Sequence, residues 1–181
     1  MFRNLGSLGS VVLRCGLGLG FLSAVADRLG LWGAFGQPNV EWGNFSRFLE
    51  YTQTLNWYVP AGMIPTLGVI ATVSESLFGL LLLVGWHTRV IALLSGLLLL
   101  LFGMAMTLAL GIKAPLNFAV FTGVGGAFLL ASCERFPFSV DELLFRRAHS
   151  GEQRQHHDRS SNPRRDGAEN EQGRLGSVTS V

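Results

Sequence analysis

Apolar residues in this chain fall in long unbroken runs rather than in alternation, and four of the runs decide the architecture: residues 5–26, 63–84, 90–110 and 116–132. At about 1.5 Å of rise per helical residue, the first two match the roughly 30 Å hydrocarbon core of a bilayer; the last is near the lower limit for spanning. The pattern predicts an all-α fold, a polytopic membrane protein with a four-transmembrane-helix bundle over residues 1–133.

The segment between the first two runs, 27–62, is too long for a simple connection and should hold structure of its own. Phe45, Phe48, Leu49 and Thr52 recur there at helical spacing while Arg47, Glu50 and Gln53 face elsewhere, and Trp32, Trp42, Trp57 and Tyr58 flank them. This predicts an interfacial helix in the first outer loop, either an anchor or a lid over a site. After the fourth run, Ser139 and Glu142 have the spacing of a capping box, with Phe138 placed to staple onto Leu143, predicting a short juxtamembrane helix within 134–148. From His149 to Val181 the chain is polar and charged and should form a disordered tail. His156 and His157 belong to that tail rather than to a metal site.

Composition sharpens the picture. With 49% hydrophobic and 14% charged residues and a mean hydropathy of +0.37, the chain is too apolar for an ordinary soluble domain of its size. Of the 14 Lys and Arg residues, eight lie from Arg135 onward, while Arg28, Arg47 and Lys113 are the only ones in the first and third loops. The positive-inside rule then places both termini in the cytoplasm, with Arg3, Arg89, Arg135, Arg146 and Arg147 on that side. A competing expectation is a cleaved signal peptide ending at Ala24-Val25-Ala26, which would leave three spans and a mature chain starting at Asp27. Cys15 and Cys133 are expected at different depths, unbridged, and no CxxC pair supplies the dithiol of a thiol oxidase.

Charges inside the apolar runs are costly and mark sites. Arg14 lies nine residues from the start of the first run and Glu75 nine from the end of the second. In antiparallel helices this puts both about 13 Å from the same surface and predicts a buried Arg14–Glu75 pair. The pair reads as an interhelical bridge, as a site for a quinone carbonyl or other polar head group, or as a proton or ion relay. Asp27, Lys113 and Asn117 are candidates for a polar cluster at the outer mouth. On a helical wheel Gly16, Gly20, Ser23 and Asp27 share one face, and Arg14, Gly18, Phe21 and Val25 another. The Gly16/Gly20 step suits close helix packing, within the bundle or in a homo-oligomer.

Other chemistry is thinly represented. Gly16-Leu17-Gly18-Leu19-Gly20 follows no strand and is no dinucleotide fingerprint; Asn44-Phe45-Ser46 fits a glycosylation sequon of the kind that occurs by chance. No metal site and no nucleic-acid surface are expected. The spans lack histidine, the usual axial ligand of a membrane haem, leaving a quinone-like cofactor or one supplied by a partner subunit. No catalytic residue is identifiable.

Three blocks, Leu13-Arg14-Cys15-Gly16-Leu17-Gly18-Leu19-Gly20-Phe21-Leu22-Ser23-Ala24, then Glu75-Ser76-Leu77-Phe78-Gly79-Leu80-Leu81-Leu82-Leu83-Val84-Gly85-Trp86-His87-Thr88-Arg89, then Gly111-Ile112-Lys113-Ala114-Pro115-Leu116-Asn117, resemble the DoxX family over residues 5–132. The resemblance implies a four-helix protein of a bacterial or archaeal cytoplasmic membrane, similar to the small subunits of thiosulfate:quinone oxidoreductase. It implies an auxiliary role in a quinone-linked oxidoreductase of sulfur or oxidative-stress chemistry, with partner subunits and the lipid bilayer as partners. A small-solute or proton transporter and a non-catalytic scaffold docking soluble partners are the alternatives.

Overall fold

The computed structural model describes residues 2–133 and 136–144, with the side chains of 2–5 left out of account. Residues 1–142 belong to one compact unit; of the remainder only Leu143 and Leu144 are described, both helical and exposed. The described residues are all helical or irregular. Their elements are α1 (Phe2–Arg28), α2 (Phe45–Leu55), a 3₁₀ turn (Ala61–Met63), α3 (Ile64–Val84), α4 (Thr88–Leu110), α5 (Lys113–Asn117) and α6 (Val120–Ser132).

Three stretches are long and apolar enough to cross a membrane: Gly6–Arg28, Ala61–Val84 and Thr88–Leu110. Their outward faces carry Val69, Val73, Leu77, Leu80, Leu101 and Leu108, all at least half exposed. A soluble protein would bury such rows; a lipid solvent covers them. The predicted fourth span, 116–132, is broken. Phe118 and Ala119 separate α5 from α6, Ala119 adopting φ +51°, and α6 is only 13 residues, or about 20 Å, long.

α1 packs on α3, α3 on α4, α4 on α6 and α6 back on α1, so the four helices close a ring. Glycine sets the closest approaches. A Cβ added at Gly18 would meet the Gly79 carbonyl oxygen at 3.0 Å, and one at Gly79 would meet the Gly18 carbonyl oxygen at 3.0 Å, so the two backbones cross there. Between α4 and α6, the Phe128 ring lies over Gly96 and the Phe121 ring over Gly103. Phe21, Leu82, Ile91, Ala92 and Leu130 form the core around these crossings.

Gly16 and Gly20, expected to serve close packing, have open space beside them. They face away from the bundle, and Gly18, on the opposite face, makes the crossing. The wheel was right about that second face: Arg14, Gly18, Phe21 and Val25 are all buried.

The predicted helix in the first loop is α2, capped by Asn44, whose side chain accepts the Arg47 N–H at 2.9 Å. Phe48, Thr52 and Leu55 are its buried face, and α2 packs on α3, α4 and α1. Gly68 of α3 leaves room for Leu49, Phe48 and Phe45 to settle on that helix. Past α6, Ser139 caps the helical residues 140–144 by accepting the Glu142 N–H at 3.1 Å. The expected staple residue Phe138 is instead 90% exposed, with φ +54°. The rest of the predicted 134–148 helix and the tail 149–181 lie outside the described residues.

The Gly18–Gly79 crossing makes a prediction by contrast. Gly18→Val should destabilise the bundle by about 1–3 kcal/mol through overpacking against the Gly79 backbone. Gly16→Ala and Gly20→Ala should cost nothing, gaining up to about 1 kcal/mol of helix propensity. Equilibrium unfolding in mixed micelles reads the difference, and equal losses at all three positions would refute the assignment.

Candidate functional site

α1 runs two residues past the predicted span end, so Arg28 is still helical. It lies seven residues from Phe21 and fourteen from Arg14, on the same buried face. A cation placed there at 3% exposure needs an anion. Glu75 of α3, 2% exposed, supplies it. Arg28 Nη2 donates to Glu75 Oε1 at 2.9 Å, and Nη1 stands 2.7 Å from Oε2 as an ion-pair contact. Nη1 also donates to Thr72 Oγ1 at 3.1 Å, and Thr72 donates its own hydroxyl to the Gly68 carbonyl at 2.8 Å.

This corrects the expected Arg14–Glu75 pair. With Gly18 opposite Gly79, Arg14 is level with Leu83 and Glu75 with Leu22, about 12 Å apart along the bundle. The equal nine-residue offsets misled because α1 is displaced by about two turns relative to the two apolar runs. Arg14 lies at the α3–α4 turn, donating from Nη2 to the Phe138 carbonyl at 2.7 Å. Arg28 reaches Glu75 because side chains on antiparallel helices each lean toward their own N-terminus, and these two lean toward one another.

The pair is roofed. The Arg28 guanidinium carbon sits 3.8 Å from the Phe48 ring centroid and 5.2 Å from that of Trp42, within cation–π range. Trp42 and Phe48 meet edge to face with centroids 5.3 Å apart, and Tyr51 flanks Trp42 at 6.1 Å. Burial, reinforced by the Glu41 carboxylate, raises the Tyr51 pKa above its usual value.

Asp27 holds the roof down. Its Oδ2 accepts the N–H groups of Glu41 at 2.9 Å and Trp42 at 3.2 Å, and its Oδ1 that of Gly43 at 3.1 Å. Gly43, at φ +66°, has no room for a Cβ against the Ala34–Phe35 backbone, so the chain can fold back only with glycine there. Trp32 adds a tie, donating Nε1–H to the Ser23 carbonyl at 3.0 Å. Asp27 is thus buried and spent on the loop rather than joined to Lys113 and Asn117. Those two residues are exposed, and neither pairs with it. The outer-mouth cluster does not form.

Chemically, the site offers a fixed cation and carboxylate, the cation lying beneath the Trp42 and Phe48 rings, with the Arg28 Nε–H buried and lacking an acceptor. That N–H can donate to a carbonyl oxygen, and a carboxylate has room for roughly four donors, more than Arg28 supplies. Among the described residues no group of three or more His, Cys, Asp or Glu is placed to hold a metal. Arg28 was missed in the sequence because it was counted as a span-end charge reaching water. The heptad Arg14, Phe21, Arg28 was the signal that could have found it.

Arg28→Met should cost about 3–5 kcal/mol by leaving Glu75 buried without its cation, and Glu75→Leu in the same chain should recover most of it. Arg14→Met and Glu75→Leu should instead add within about 0.5 kcal/mol. Unfolding titrations of the two double-mutant cycles check this; coupling of Glu75 to Arg14 would overturn the assignment. Asp27→Ala should free the 41–43 backbone and raise the rate of limited proteolysis within 29–44 while the helical content of the bundle is kept. No family model matches this chain, and neither a curated protein nor a solved structure does.

Proposed function

We propose that the protein is an integral membrane subunit of a quinone-linked oxidoreductase, DoxX-like in type, that contributes a quinone-head site rather than a catalytic centre of its own. The observation that carries the reading is the buried Arg28–Glu75 pair at the end of α1, flanked by Trp42 and Phe48 and with the Arg28 Nε–H uncommitted. A quinone carbonyl would take that N–H and a quinol hydroxyl would donate to Glu75, beside the Trp42 and Phe48 rings. In this proposal α1, α3, α4 and the α5–α6 segment lie in the membrane and α2 lies at its surface. The charge bias toward the C-terminal side supports a topology with both termini in the cytoplasm, and the DoxX-like reading carries with it a bacterial or archaeal cytoplasmic membrane. Oxidoreductase subunits that supply the electron donor are the expected partners.

A second reading is favoured by the closure of the ion pair on itself: Arg28 and Glu75 would be a structural clamp that keeps α2 and the 41–43 loop on the bundle. The two separate in one experiment. Equilibrium dialysis of a short-chain benzoquinone against purified protein in nanodiscs should show binding. Arg28→Gln and Glu75→Gln should weaken it by about tenfold, the value of one good hydrogen bond to a charged group. Arg14→Gln, about 12 Å from Glu75 along the bundle, should bind as the wild type does. Absence of binding in the wild type would overturn the quinone reading and leave the clamp.

A further inference from the structure

Arg14 is a second cation buried in this bundle, 3% exposed, and no carboxylate among the described residues pairs with it. The ion pairs among the described residues are Arg28–Glu75 and Arg47–Glu50. Arg14 has one neutral acceptor, the Phe138 carbonyl, and its Nε–H is buried without a partner. Its Nη1 lies against Gly85, where φ +73° and the lack of a Cβ make room for it. Taking an arginine out of water for one carbonyl is unfavourable, a deficit that an oxyanion would meet.

The surroundings confine that oxyanion. Asp141, beside the same α3–α4 turn, is already committed: its two oxygens accept the His87 and Thr88 N–H groups at 2.8 Å each, capping α4, and its own N–H donates to the Gly85 carbonyl at 3.1 Å. Thr88 on the same turn is fully buried, with an unpartnered hydroxyl. Arg89, exposed on this end, is turned away onto the Ala131 and Cys133 carbonyls. Residues 136–139 form a strap over Arg14, and the Phe138 side chain points out of it, 90% exposed. The strap thus puts a neutral oxygen where an anionic one fits.

We propose that Arg14 is a binding site for a phosphate group, that of an anionic phospholipid headgroup or free phosphate, which enters by displacing the Phe138 carbonyl and takes Nε–H and Nη2–H side-on. The planar guanidinium suits two phosphate oxygens. The site sits where α3 turns into α4, at the end of two membrane-length helices, the level at which headgroup phosphates meet a basic pocket between helices. Thr88 Oγ1, buried and unpartnered at the start of α4, is a further donor at this end of the bundle. Binding there and seating of the 136–139 strap exclude one another, so ligand occupancy sets how residues 136–142 leave the bundle.

Native mass spectrometry of the full chain, released from a maltoside detergent and titrated with phosphatidylglycerol, tests the site. The wild type should retain one lipid, Arg14→Gln should bind it about tenfold more weakly, and Arg89→Gln should match the wild type. Arg14→Lys, which keeps the charge and loses the fork, should fall between. In a second arm, inorganic phosphate is compared with chloride at matched ionic strength for its effect on the wild-type melting temperature. A rise abolished by Arg14→Gln means the free ion takes the site, whereas no rise alongside lipid retention assigns it to the headgroup. Equal lipid retention in wild type and Arg14→Gln, equal loss in Arg14→Gln and Arg89→Gln, or no binding of either ligand to the wild type would overturn the proposal. These outcomes do not depend on the quinone reading, which concerns the Arg28 end of α1.

Discussion

Everything else in the bundle is placed by the contact of two glycines. A Cβ added at Gly18 or Gly79 would stand 3.0 Å from the other's carbonyl oxygen across the α1–α3 crossing, tighter than side chains ordinarily tolerate. In a bilayer, helices gain little from burying apolar surface against each other, because lipid is as apolar as leucine; close backbone packing has to supply the association. Once that crossing is set, the register of the two helices follows, and with it the partner of every charge they carry.

The two arginines on the inner face of α1 show what register decides. Both are buried, and they are two heptads apart. One falls within reach of a carboxylate on α3 and becomes half of an ion pair under two aromatic rings. The other falls at the end of α3, beside a glycine turn, and finds a backbone carbonyl. A buried pair stabilises by less than its Coulomb attraction suggests, since desolvation offsets most of it. The value of such groups is therefore better sought in what they hold or bind. At one end that is the roof of Trp42 and Phe48, pinned by Asp27; at the other it is a strap that covers an unneutralised cation.

Long apolar runs, their count up to the third, the helix in the first loop with its Phe48 and Thr52 positions, and the buried face of α1 were all legible in the chain, because each depends on composition or on periodicity within one segment. Glu75 as a buried charge was legible for the same reason. What failed was arithmetic across segments. Span ends inferred from hydropathy were taken as a ruler, and a shift of about two turns between helices moved Glu75 from Arg14 to Arg28. The fourth run failed differently: hydropathy does not register a single left-handed residue, and Ala119 breaks the helix without breaking the apolar pattern.

By itself, then, the sequence determined that the chain is helical, that three of its helices can cross a membrane, and that two charged residues, Arg14 and Glu75, lie inside the apolar runs. Those are properties of single helices, set by side-chain polarity and a repeat of 3.6 residues. Only the tertiary structure decided which charges meet, which glycine makes the crossing, and that Asp27 fastens a loop instead of standing at an open mouth. The reason is that lipid-facing and helix-facing surfaces are nearly equal in hydropathy, so register rests on where two backbones can touch.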